Sequence, residues 1–61
     1  MNLYEMVFHV DDGYNIYDEM LRCFASDSDN AVSLGKAKFD PYDLVMLVSI
    51  HELEIREGLF V

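Results

Sequence analysis

Ile16-Tyr17-Asp18-Glu19-Met20-Leu21-Arg22-Cys23-Phe24-Ala25 is the stretch on which the fold turns. As a strand it places Tyr17, Leu21, Cys23 and Ala25 on one face, with Glu19 as the exception. As a helix it gathers Tyr17, Met20, Leu21 and Phe24 into an apolar stripe, with Asn15 and Asp18 able to cap its start. Periodicity alone leans to the helix. The residues that follow tip the reading to a strand, because Ala25-Ser26-Asp27-Ser28-Asp29-Asn30-Ala31-Val32 looks like a strand end meeting a helix start. Ser26 is a suitable N-cap there, Asp29 completes a box-like pairing, and both aspartates favour the positive end of the helix dipole. This helix is expected to turn Ala31, Val32, Leu34, Gly35 and Phe39 toward the core, and to stop at Asp40-Pro41, since the residue before proline is disfavoured in helical geometry.

Upstream the pattern is plainer. Tyr4, Met6, Phe8 and Val10 alternate with Glu5 and His9 on the opposite side, the period-two signature of a half-buried strand. Asp11-Asp12-Gly13-Tyr14-Asn15 then supplies turn chemistry for a hairpin. Downstream, Leu44–Ile50 is apolar and rich in β-branched residues, with Leu44, Met46, Val48 and Ile50 at even positions. The parity moves to Leu53 and Ile55, which places a bulge or strand end near His51-Glu52. A helix over the same segment, capped by Asp40-Pro41-Tyr42-Asp43 and closed by Gly58, is the competing reading. The expected architecture is α+β: a three-stranded antiparallel sheet with one helix on a face, in the order strand, strand, helix, strand. The alternative is a mostly helical small bundle. The apolar tail Leu59-Phe60-Val61 is expected to be exposed unless it packs.

Sixty-one residues allow one domain, spanning 1–61, and a chain so short buries only about 60% of its unfolded surface. With one cysteine, Cys23, no intrachain disulfide can brace it, which points to a reducing, cytoplasmic setting. No apolar run approaches the roughly 18 residues of a membrane span, and Met1–Glu5 lacks the basic region of a signal peptide. Small domains without disulfides or metals often gain stability by oligomerising or by docking on a partner, so a homodimer is one of two expectations.

Chemistry is hard to find in the chain. His9 and His51 are the only imidazoles and a catalytic pairing would need neighbouring strands in matching register; Cys23 sits in an apolar segment where thiols are inert. Asp27-Ser28-Asp29-Asn30 begins like a calcium loop, but Ala31 stands at the third acidic position and the glycine is missing; Asp11-Asp12-Gly13 fails likewise. No catalytic residue, metal site or cofactor is therefore expected. Charge is the loudest signal: twelve carboxylates against four Lys and Arg give a net −8. Such a surface repels nucleic acid and anionic membranes and steers toward basic partners, although net charges of this order also serve solubility. Asp11, Asp12, Asp18, Glu19, Asp27, Asp29, Glu52 and Glu54, with Tyr14 and Tyr17 as contact-rich side chains, are the candidate partner-binding residues; Asp40, Asp43 and Glu57 add to the acidic surface. Gathered on one face, carboxylates could imitate the charge density of a DNA duplex, about one charge per 1.7 Å.

The alternating strand Tyr4, Met6, Phe8, Val10, followed by Ala25-Ser26-x-x-Asp29-x-Ala31-Val32, Gly35-Lys36-Ala37 and a closing strand, resembles the small strand–strand–helix–strand proteins of bacteriophages and mobile elements. These include inhibitors of host RNA polymerase and acidic anti-CRISPR proteins. The resemblance implies a non-enzymatic inhibitor that covers a basic nucleic-acid-binding surface of a host complex as a DNA mimic. A structural or regulatory module that homodimerises or joins a larger complex through apolar edges is the alternative.

Overall fold

A computed structural model describes residues 1–54. Its elements are β1 (Asn2–Asp11), β2 (Ile16–Ala25), α1 (Ser28–Lys36) and β3 (Leu44–Leu53). The sheet is antiparallel with order β2-β1-β3, so β1 is central and the ambiguous stretch is indeed a strand. Strand geometry wins at 16–25 because it lets every residue pair with β1 across an unbroken ten-residue ladder, from Asn2↔Ala25 to Asp11↔Ile16. The stripe that a helix would have made is less valuable than those non-local pairings.

The hairpin turn is built by its aspartates. Gly13 carries a positive φ of 89°, which glycine adopts without strain. The Asp12 carboxylate accepts the backbone N–H groups of Tyr14 at 2.8 Å and Asn15 at 2.7 Å, and Asp11 accepts that of Gly13 at 2.9 Å. Donation by these amides holds the Asp12 carboxyl below its ordinary value, with the Asn15 amide the largest cause.

The helix begins one residue later than the capping pattern suggests. Asp27, not Ser26, is the N-cap, accepting from the Asn30 amide at 2.8 Å, while the Asn30 side chain in return accepts from the Ser26 amide at 3.2 Å. A partner three residues after Asp27 exists in Asn30, so the reciprocal pairing shifts by one and Asp29 is left in the first turn. The end also differs from expectation. The helix closes at Lys36 rather than reaching Asp40-Pro41; tighter turns from Lys38 to Gly35 and from Phe39 to Lys36 take over. They accompany Phe39 packing its ring edge-to-face on Phe8, with centroids 5.6 Å apart. Leu34, expected in the core, stays exposed.

The core lies between α1 and one face of the sheet. Met6, Phe8 and Val10 are fully buried with Ala25 and Ala31, and Tyr4 nearly so. Leu21, Cys23, Val32, Phe39, Val45, Leu47 and Ile50 pack around them. Burying each of the large side chains is worth about 1.5–3 kcal/mol. Gly35 sets the approach of the helix: a Cβ there would sit 2.8 Å from Phe8 Cε2 and 3.1 Å from Met6 Cε, so only glycine lets α1 rest directly on these residues.

β3 ends at Leu53, beside His51-Glu52, as one of the two expectations had it, and its bulge lies elsewhere. The register slips between Val7↔Ser49 and Phe8↔Leu47, making Val48 the extra residue. This breaks the even-position alignment: Leu44 and Met46 share β1's odd face, whereas Ile50 joins Met6 on the helix side. Without the slip, Ile50 would leave the core. Among the described residues no helix is long and apolar enough to cross a membrane.

Candidate interaction surfaces

The register sorts the candidate residues into three places. At the hairpin end lie Asp11, Asp12, Tyr14, Tyr17 and Glu19, joined by Asp43 and Tyr42, because Asp11 pairs with both Ile16 and Leu44. Asp27, Asp29, Glu52 and Glu54 lie at the opposite end, about 30 Å away along ten-residue strands. Asp18 sits on the face of the sheet away from α1, where its Oδ1 lies 2.8 Å from His9 Nδ1. The ten side chains thus do not share one face.

The hairpin end is the denser of the two acidic regions. Tyr17, pointing to the helix side beside Val10, has its phenol pushed above the ordinary value, first by partial desolvation and then by the negative charge of Asp12, Asp43 and Glu19. Three carboxylates therefore act on one hydroxyl. Tyr14 and Tyr42, each more than 90% exposed, flank them in the two connecting loops. The aspartates here also have local work: Asp11 and Asp12 hold the hairpin turn, and Asp40 accepts the Tyr42 amide at 2.9 Å. At the same end, but opening on the sheet face away from Tyr17, is a shallow hollow of about 320 Å³, lined by His9, Asp11, Ile16, Leu44, Val45 and Met46. An apolar floor with a carboxylate at its rim suits the stem and head of a Lys or Arg side chain.

The far end is more dispersed. Asp27 is committed to capping the helix, and Glu52 faces the helix side next to Tyr4. Cys23 is partly buried, its thiol 3.8 Å from the Ala31 carbonyl. His9 and His51 do occupy neighbouring strands, but His51 stands opposite Glu5, about 13 Å along the strand from His9. No three His, Cys, Asp or Glu side chains among the described residues group tightly enough to hold a metal ion.

A second surface escapes any reading of the strands one at a time. On the sheet face opposite α1, Ile16, Met20, Phe24, Leu44 and Met46 are all more than half exposed. Glu5 and Arg22 form an ion pair across it at 2.9 Å. Only the strand order, which sets β2 and β3 on either side of β1, brings these apolar side chains together. The hint in the sequence is that β2 and β3 carry apolar residues at both parities. No protein-family model, curated protein or solved structure matches the chain.

Proposed function

We propose that the protein is a non-enzymatic acidic binding protein whose hairpin end occupies a Lys/Arg-lined, nucleic-acid-binding surface of a protein complex, as inhibitors encoded by phages and mobile elements do. The observation that carries this reading is the gathering of Asp11, Asp12 and Asp43 at the hairpin end, where Tyr17 on the helix side feels the charge of Asp12, Asp43 and Glu19 and an apolar hollow rimmed by Asp11 opens on the other side of the sheet. Like charges gathered at one end raise the local negative potential and draw in cationic side chains. Tyrosines at the margin add contact area at little entropic cost.

The test is a titration with a labelled oligo-arginine peptide at low and high salt. Binding is expected to weaken steeply with salt, and Glu19→Lys or Asp43→Lys to weaken it at least tenfold. Asp29→Lys, at the far end, should do much less. Equal losses from all three reversals would mean that only net charge matters, and the hairpin end would lose its assigned role.

A second reading, a module that associates through apolar surface, is favoured by one separate observation: the sheet face opposite α1, uncovered among the described residues, holds Ile16, Met20, Phe24, Leu44 and Met46 more than half exposed.

A further inference from the structure

We infer that the sheet face opposite α1 is a homodimer interface, in which two copies stack face to face about a two-fold axis running across the strands. This goes beyond the binding role proposed for the hairpin end and does not rest on it, although the face includes His9, Asp11, Ile16, Leu44 and Met46 of the hollow, so a dimer covers that hollow.

The pairing registers lay the face out in rows. Val7 with Met20 and Ser49 forms the central row. One step toward the hairpin is His9 with Asp18 and Met46; one step the other way is Glu5 with Arg22 and His51. The outer rows are apolar: Ile16 and Leu44 beside Asp11 at the hairpin end, Phe24 and Leu53 beside Leu3 at the other.

A two-fold axis through the central row, perpendicular to the strands, keeps each strand opposite its own copy and exchanges the rows. Asp18 then faces the second copy's Arg22, and Glu5 faces its His9. Ile16 meets Phe24, Leu44 meets Leu53, Met46 meets His51, Asp11 meets Leu3, and Met20 meets its own symmetry mate. Every charged pair is opposite in sign when the imidazole is protonated, and no carboxylate opposes a carboxylate. The other face-to-face two-fold, with its axis along the strands, sets Glu5 against Glu5 and His9 against His9. Like charges facing each other are repulsive. The array of side chains is thus self-complementary in one orientation only.

Charge favours the same surface. The chain carries −8, yet on this face Arg22 offsets Glu5 and the His9 ring partners Asp18, leaving Asp11 as the remaining carboxylate of the three on β1 and β2, so repulsion between two acidic molecules is reduced here. Size is adequate too. Three strands of ten residues, at about 3.3 Å per residue and about 4.8 Å between strands, present roughly 500 Å² per copy. Two such faces give about 1,000 Å², the lower bound of a specific interface. Aligned sheets packed this way cross at about 30°, which displaces the outer rows but leaves those next to the axis within side-chain reach.

The test is sedimentation equilibrium of the full chain, with circular dichroism to follow the fold. Wild type is expected to reach twice the chain mass as concentration rises. Asp18→Arg alone and Arg22→Glu alone should each be monomeric, because each brings like charges into opposition. Mixed together, they should form a heterodimer, since each then meets its complement. A wild-type monomer at the highest concentration would overturn the inference, as would dimers that persist in both single variants or a mixture that fails to associate. If either charge variant loses its fold, Met20→Glu, at the centre of the interface, decides in its place: monomer supports the dimer interface, dimer overturns it. Salt separates this from the binding role: screening relieves the net repulsion between acidic copies, whereas it weakens capture of a cationic peptide.

Discussion

The two faces of β1 obey the same alternation and meet opposite ends. Tyr4, Met6, Phe8 and Val10 disappear beneath α1, with exposures of 6% or less. One residue along, Leu3, Glu5, Val7 and His9 look out from a sheet whose edge strands hold Ile16, Met20, Phe24, Leu44 and Met46 half or more in water. The helix covers only one side, so apolar area on that side stabilises the monomer. Apolar area on the other contributes little until something lies against it. The proposed dimer would assign folding and association to opposite surfaces of one strand.

Substitutions that separate the faces sharpen this contrast. Phe8→Ala should cost about 3–5 kcal/mol, enough to unfold most of so small a domain, as read from urea denaturation. Met20→Ala, on the other face, should change the stability of the monomer by less than about 0.5 kcal/mol at dilute concentration. Comparable losses at both sites would erase the distinction. Gly35→Val comes next: its new atoms would press on Phe8 and Met6, costing about 1–3 kcal/mol where a surface helix position would be nearly indifferent. Asp27→Ala should cost about 1 kcal/mol through loss of the Asn30 amide bond, and Ser26→Ala almost nothing, since the cap is Asp27.

The smallest effect is in pH. Because Asp12 is held below its ordinary value of 3.8 in the folded chain, its contribution is present above that value and is lost as pH falls through the lowered one. Asp12→Ala should therefore flatten the acid limb of the stability profile slightly. Tyr17 behaves in the opposite sense. Its raised value means stability is lost as pH rises past about 10, and Glu19→Gln or Asp43→Asn should bring its titration back down, as followed by phenolate absorbance against a Tyr17→Phe control.

The order strand, strand, helix, strand was legible because β1 alternates cleanly and because Asp11–Asn15 is a turn in any context. Local chemistry failed wherever two residues of similar kind competed. Ser26 and Asp27 could each cap a helix, and the choice fell to whichever had Asn30 three positions on. The bulge was foreseen in kind but not in place, because its position at Val48 is dictated by Ile50 reaching Met6 across the sheet, a non-local demand. The acidic site was legible only as composition. Spacing along the chain does not reveal that Asp43 comes to the same end of the sheet as Asp12, nor that Asp18 and Glu19, adjacent in sequence, point to opposite sides of the sheet. The expectations for Ile55, Glu57, Gly58 and the tail Leu59-Phe60-Val61 lie outside the described residues.

The measurement that bears most directly on the division of labour between the faces is the urea midpoint of wild type as a function of protein concentration. A dimer built on the uncovered face ties stability to association, so the midpoint should climb with concentration in wild type and stay fixed in Met20→Glu. A wild-type midpoint that does not move with concentration would mean that the uncovered face has no such role.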